Sequence, residues 1–412
     1  MTVRALVLAI VTPALLTPAV AAGADDPPAT MSTVGGELLG RPGTQVHADD
    51  GVPELPEDLT AKSWIVADAE NGEVLAAHNA HWPLPPASTI KMLFADTVLP
   101  KFDREDLYRA RPEHFADLGP GSSAVGIADF QTYTVEDLWH GVFLASGNDA
   151  VYALTAMNGG KEQTVREMNE RAEELQAGDT HVVNPDGYDA EGQVSSAYDL
   201  TLIARSGMQN ADFREYAATP RADFPGEGEG EDRETYEIQS TNRLLVGAAG
   251  LESYEGIAGV KNGYTTAAGY TFTGVAERDG RVLLVTVMAP EGDGLTVYRE
   301  TAALFDWGFE AADTVEPVGE LVPPLSELPE EPAADGAGED AGDDGQNADG
   351  DEPVSGAGAA GEGGSASGPA VLGVTAGGLV VLTAAAYVFH RRHPLPLPLT
   401  RQTRRREDAP VE

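Results

Sequence analysis

Cysteine is absent from all 412 residues. That excludes disulfides, thiolate nucleophiles and thiol redox chemistry, and leaves the folded part of the chain to rely on its core. Lysine is almost absent as well: five stand against 21 arginines and 67 acids. With a net charge of −41, the body has no basic stripe with which to bind nucleic acid or an anionic lipid surface. The eight histidines show neither H-E-x-x-H nor any other ligand spacing, so no metal site and no cofactor can be read from them. Among so many acids some carboxylate pair will always suit a glycosidase, so that signal carries no weight.

The acidity is not confined to a tail. From Glu327 to Glu362 there are 12 acids and no bases, yet residues 1–326 still carry a net −32. A folded body this acidic is expected to be adapted to high ionic strength, where screening weakens self-repulsion.

The two ends read as targeting segments. Residues 1–22 have the form of a secretory signal, with Arg4, an apolar run from Ala5 to Leu16 and the small-residue site Ala19-Val-Ala21. Residues 23–60 are rich in Pro and Gly and read as an extended leader. Residues 316–369 read as an acidic stalk, since Gly, Ala, Asp, Glu and Pro cannot bury a core. Residues 370–390 hold an uncharged stretch of one bilayer length, Val371 to Phe389, and 391–412 form an arginine-rich tail. The positive-inside rule puts that tail in the cytoplasm and everything before residue 370 outside.

Between these ends, residues 61–315 read as one catalytic domain. Trp64–Ala67 and Val74–Ala77 bracket Glu70-Asn71-Gly72, and Tyr270–Ala276 and Arg281–Met288 flank Asp279-Gly280; both are hairpin signals. From Ser88 the pattern turns helical, with a capping box at Thr134-x-x-Asp137. Val165, Met168, Ala172 and Leu175 share one helical face. Asp186-Gly187 closes that region, residues 222–234 read as a solvated loop, strands return after Ile238, and Thr301–Phe309 reads as a closing helix. Strands at both ends with helices between them predict an α/β body whose termini meet in one sheet.

Two of the five lysines stand in unusual company. Ser88-Thr-Ile-Lys91 puts a hydroxyl and an amine three residues apart on one face of a helix start. With 15 serines and five lysines, chance supplies about 0.2 such matches in this chain, so the motif alone says little. Ser146-Gly-Asn148 and Lys261-Asn262-Gly263 follow it in order. A serine nucleophile without histidine needs another base, and an amine serves only when neutral. Burial and a second ammonium nearby both push a lysine toward neutrality. Two lysines converging on one serine would supply that arrangement.

The order S-x-x-K, S-x-N, K-x-G resembles the active-site-serine penicillin-recognising enzymes. The longer phrases WIVADAENGEVLAAHNA, PPASTIKMLFA, LASGNDAVYAL, VNPDGY, SSAYDLTLIA and AGYTFTG resemble the D-alanyl-D-alanine carboxypeptidases, the low-molecular-mass penicillin-binding proteins, over residues 63 to about 310. The resemblance implies a β-lactamase/transpeptidase-like fold, with an antiparallel sheet flanked by helices and a mainly helical lobe. It implies Ser88 as nucleophile, Lys91 as its base and Ser146 as proton relay. Asn148 would hold the peptide backbone and Lys261 would steer the terminal carboxylate. Gly263, Tyr264 and Thr265 would complete the substrate-binding edge, with the N–H groups of Ser88 and Tyr264 as oxyanion hole. The expected partners are peptidoglycan stem peptides ending in D-Ala-D-Ala, β-lactams, and the membrane through one C-terminal helix.

Asn262 departs from the family, which usually has Thr there. An amide NH2 can donate where a hydroxyl did, but it is larger. The resemblance implies a family arginine that binds the terminal carboxylate, matched here to Arg299. A β-lactamase, or a feeble membrane-tethered peptidoglycan-binding protein, are the rival readings. Release of D-alanine from a pentapeptide discriminates all three.

Overall fold

In a computed structural model the described residues are 26–228 and 230–329. The signal, the span at 370–390 and the arginine-rich tail lie outside them. No helix among the described residues is long and apolar enough to cross a membrane. In chain order the elements begin with β1 (Thr44–Gln45), β2 (Ser63–Asp68), β3 (Glu73–His78), α1 (Lys91–Val98), β4 (Leu107–Arg109) and β5 (Thr132–Thr134). Next come α2 (Val135–Phe143), α3 (Asn148–Met157), α4 (Lys161–Glu174), α5 (Ala197–Gly207) and α6 (Ala211–Ala218). Then follow β6 (Arg221–Pro225), β7 (Thr235–Gln239), α7 (Arg243–Val246), β8 (Ile257–Thr265), β9 (Gly269–Arg278), β10 (Arg281–Met288), α8 (Thr296–Ala311) and β11 (Gly319–Glu320).

One antiparallel sheet runs β1-β3-β2-β10-β9-β8, with β11 pairing β3 beside β1. Its centre joins the two ends of the domain, because β2 pairs β10 with Trp64 opposite Val287 and Val66 opposite Val285. Alternation decides the layers. Trp64 and Val66 face α8, while Ile65 and Ala67 on the same strand face the helical lobe. On α8 the residues Val297, Leu304, Phe305 and Ala311 recur at helical spacing and fill the first of these cores. The lobe inserted between β3 and β8 packs α1 and α5 against the other face. Thus β8 is left at the edge of the sheet, next to the segment that carries Ser88.

Local chemistry accounts for the predicted turns. Both hairpins form, with Gly72 at φ 83° in the first and Asp279-Gly280 at φ 52° and 83° in the second. In the second, positive φ at both central residues is the conformation that a two-residue type I′ turn requires; the first has a four-residue loop that ends on Gly72. The capping box forms as well: Thr134 Oγ1 accepts from Asp137 N and Asp137 Oδ2 accepts from Thr134 N. Such a cap stabilises a helix start by about 1 kcal/mol.

Other expectations need correction. The helical region does not close at Asp186-Gly187, for α5 and α6 follow, started by the side-chain caps of Ser196 and Asn210. The loop read over 222–234 is shorter, because β6 and β7 form a hairpin around it. Within its two strands only Phe224 and Ile238 are buried, so no alternating pattern marks it. The segment read as a leader has little regular structure but belongs to the folded body. Leu39 is fully buried, β1 joins the sheet, and Thr60 N and Ala61 N donate to the buried Glu300 carboxylate. At the other end the body continues past residue 315 through β11 to the buried Leu321.

Candidate active site

Ser88 lies in a 3-10 turn, Ala87–Ile90, that runs directly into α1. Lys91 is therefore one turn further on, and its Nζ lies within hydrogen-bond distance of Ser88 Oγ, at 2.8 Å. The same nitrogen donates to Asn148 Oδ1 at 2.7 Å and to the carbonyl of Asp186. Lys91 is 1 % exposed. Burial pushes it down to about 8, against the opposing pull of Asp186 and Asp149. The two acceptors other than Ser88 matter chemically. A neutral amine has two hydrogens and one lone pair; Asn148 and Asp186 take the hydrogens, and the lone pair is left facing the Ser88 hydroxyl.

A second lysine–serine pair sits beside the first. Lys261 Nζ donates to Ser146 Oγ at 2.9 Å and to its neighbour's carbonyl, Asn262 O, at 2.9 Å. It is also 1 % exposed. Burial, reinforced by the charge of Lys91, holds it well below the ordinary lysine range. Ser146 is buried and takes φ 55°, a left-handed turn between α2 and α3 that presents its hydroxyl to Lys261.

Glycines bring the backbone in. A Cβ at Gly263 would lie 2.7 Å from Ser88 N and 2.6 Å from Thr271 Oγ1, so only glycine lets β8 approach the nucleophile's own N–H this closely. On the other side Gly187, at φ 85°, packs so tightly on the Ala87 carbonyl that a side chain there would overlap it. Tyr264 is mostly exposed and packs on Tyr270, with ring centroids 4.5 Å apart and planes tilted by 36°. Thr265 Oγ1 accepts from Ala268 N in the β8–β9 turn.

Of the ten residues read from the sequence, hydrogen bonds link Ser88, Lys91 and Asn148 in one set and Ser146 and Lys261 in a second, and Gly263 abuts Ser88. Arg299 is not among them. Its guanidinium is half exposed and donates to Asp293 Oδ1 at 3.1 Å, with no hydrogen bond to any of the others. Asn262 is oriented by a residue that sequence reasoning missed: Thr241 Oγ1 donates to Asn262 Oδ1 at 2.9 Å. That contact turns the amide so that its NH2 group, which has no partner among the described residues, is left to donate. Thr241 is itself fixed, its N–H donating to Leu144 O and its carbonyl accepting from Tyr298 Oη.

Two acids complete the frame. Asp149 accepts from the N–H groups of Val125, Gly126 and Ile127 and clamps that loop over the Ser146–Asn148 turn. Asp186 gives Lys91 its carbonyl, and its Oδ1 accepts from Tyr188 N at 3.0 Å. Asp149 follows Asn148 directly, so a scan for acids adjoining the motif would have found it. Nothing in the sequence marks the role of Thr241.

Comparison with known proteins bears on the same residues. Residues 50–292 match the sequence profile of a family described as D-alanyl-D-alanine carboxypeptidase. The D-alanyl-D-alanine carboxypeptidase DacB2 of Mycobacterium tuberculosis is 40% identical over 257 residues, which is 61% of this chain and 83% of that protein. A crystal structure of D-alanyl-D-alanine carboxypeptidase from the same organism superposes with a TM-score of 0.59 at 36% identity, covering 66% of this chain and 98% of that one. A Streptomyces DD-transpeptidase gives a TM-score of 0.58 at 25% identity, over 62% of this chain and 99% of that one.

Proposed function

The chain belongs to the D-alanyl-D-alanine carboxypeptidase family, and on that premise we propose that it removes the terminal D-alanine from peptidoglycan stem peptides through an acyl-enzyme on Ser88. The observation that carries this reading is the pair of buried lysines, each hydrogen-bonded to a different serine of one site. Neutral Lys91 takes the Ser88 proton as Oγ attacks the D-Ala-D-Ala carbonyl. The N–H groups of Ser88 and Tyr264 stabilise the developing oxyanion. Ser146, hydrogen-bonded to Lys261, hands a proton to the leaving nitrogen, the C–N bond breaks and D-alanine departs. Water then attacks the ester, Lys91 again serving as base, and Ser88 is regenerated.

Recognition of the terminal carboxylate falls to Lys261 and the free NH2 group of Asn262, with Asn148 on the peptide backbone. A β-lactam carries the same amide and carboxylate, and acylates Ser88 in the same way. The sequence supports a location outside the cell: the signal at 1–22 exports the body, and the span at 370–390 tethers it by its acidic stalk. Surface proteolysis of intact cells tests the location; a body that stays protected rejects it.

Labelling with a fluorescent penicillin, alongside D-alanine release from a D-Ala-D-Ala pentapeptide, tests the activity. Wild type labels and releases D-alanine, and Ser88→Ala does neither. Equal labelling of both proteins, or no D-alanine release above background, defeats the proposal. Release of penicilloate in preference to D-alanine would instead indicate a β-lactamase.

A further inference from the structure

One buried acid beside the nucleophile carries a charge that its hydrogen bonds do not account for. Asp186, in the loop between α4 and α5, is 1 % exposed. Its carbonyl accepts from Lys91 Nζ, and the next residue, Gly187, packs on the Ala87 carbonyl just before Ser88. Of its carboxylate oxygens, Oδ1 accepts from Tyr188 N at 3.0 Å. Oδ2 is buried with no hydrogen-bond partner among the described residues. Carbonyl and carboxylate share one Cα, so covalent geometry keeps the carboxylate within about 8 Å of Lys91 Nζ.

The charged groups that face Lys91 are Asp186, Asp149 at the start of α3 and Lys261 on β8. Asp149 is well supported, since it accepts from the N–H groups of Val125, Gly126, Ile127 and Ala150. Lys261 is itself held toward neutrality, by burial first and then by Lys91. The Tyr152 phenol lies near Asp186; burial, then the charges of Asp186 and Asp117, push it up, so it stays neutral. Asp186 is therefore the acid of the site with the least support for its charge. A buried charge without a counter-charge is unfavourable. As the bond from Ser88 Oγ to the substrate carbon forms, the Ser88 proton passes to Nζ and the neutral amine becomes an ammonium. That ammonium is the counter-charge that Asp186 lacks in the resting site. Burial lowers Lys91, and Asp186, ahead of Asp149, opposes the fall.

We propose that Asp186 is a positioning residue for acylation, whose carboxylate stabilises the ammonium that Lys91 becomes as it takes the Ser88 proton. It acts through Lys91 and not on the substrate, and its role rests on the Ser88 acyl-enzyme proposed above. Without this charge Lys91 would be a weaker base, yet neutral over a wider range of pH. The two consequences act on the rate in opposite directions.

The test is the pH profile of acylation by a fluorescent penicillin for wild type, Asp186→Asn and Asp186→Thr. Both replacements are neutral and can still accept from Tyr188 N, but they differ in shape. In each, the pH at which the rate levels off should fall by about one unit, from about 8 to about 7. The plateau should drop about threefold, because a base one unit weaker takes a proton more slowly. At pH 6 an increase of about tenfold in neutral amine outweighs that loss. The variants should then acylate about threefold faster than wild type at pH 6 and about threefold slower at pH 9. A merely structural defect lowers the rate at both. A folded variant with an unshifted profile, or one slower at both pH values, overturns the proposal. Failure of both variants to fold overturns it too, because loss of an uncompensated buried charge should not unfold the domain. A wild type that is not acylated at all defeats the acyl-enzyme reading instead.

Discussion

Gly263→Ala tests the placement of β8 against the nucleophile. The added Cβ would lie 2.6 Å from Thr271 Oγ1, 2.7 Å from Ser88 N and 2.9 Å from Ala87 Cβ. None of these neighbours is the free end of a flexible side chain. Ser88 N is backbone, and Thr271 Oγ1 is committed to the Pro86 carbonyl at 2.9 Å. Relief to ordinary contact requires strand and turn to separate by about 0.8 Å. Gly263 does not sit at positive φ, so the effect is steric and not conformational. The gap opens where the Ser88 and Tyr264 N–H groups are proposed to meet the oxyanion, and loss of one such donor lowers the chemical rate by about 10²–10³, or about 3–4 kcal/mol. Overpacking should cost about 1–3 kcal/mol of stability, too little to unfold a domain of this size. The assay is the second-order rate of labelling by a fluorescent penicillin at 25 °C, with the melting curve taken on the same sample. A folded Gly263→Ala that acylates within threefold of wild type would refute the reasoning.

Four further outcomes are expected. Because acylation needs neutral Lys91, held at about 8, its rate should rise roughly tenfold per pH unit below that value and level off above it; a flat profile from pH 6 to 9 removes Lys91 as base. Over that lysine's window the unfolded chain binds a proton up to about 10.4, but the folded chain only to about 8, so this group makes stability rise with pH between them. Thr241→Val, which frees the Asn262 amide to rotate, should raise KM for D-Ala-D-Ala peptides about fivefold with kcat near wild type, and Thr241→Ser should restore it; an unchanged KM removes Thr241 from substrate positioning. The net −32 of residues 1–326 should make the melting temperature climb between low and molar salt, and a flat dependence by differential scanning calorimetry rejects adaptation to high ionic strength.

The features that were legible in the sequence are those whose cause is local. Asn71-Gly72 and Asp279-Gly280 specify hairpins because the turn conformation is a property of the turn residues themselves. Thr134 and Asp137 cap a helix three residues apart, and Ser88 and Lys91 meet across a single turn. The β6–β7 hairpin was illegible because it is exposed on most of its length, so no alternation was selected. Arg299 was read only as a match to a family arginine; in the fold its half-exposed guanidinium takes Asp293, six residues before it, as partner. Such a preference is settled by geometry that spacing does not contain.

By itself the sequence determined the order of the three motifs, the absence of thiol chemistry, the acidity of the body and the glycine at position 263. These are matters of which groups exist. What only the tertiary structure decided is the state those groups are in. Lys91 is shifted toward neutrality because folding buries it, and Asn148 and Asp186, 57 and 95 residues away, accept from its Nζ. Asn262 has its NH2 group left to donate because Thr241, from another segment, holds its oxygen. Protonation and orientation depend on desolvation and on partners far away in the chain, and both exist only once the chain has folded.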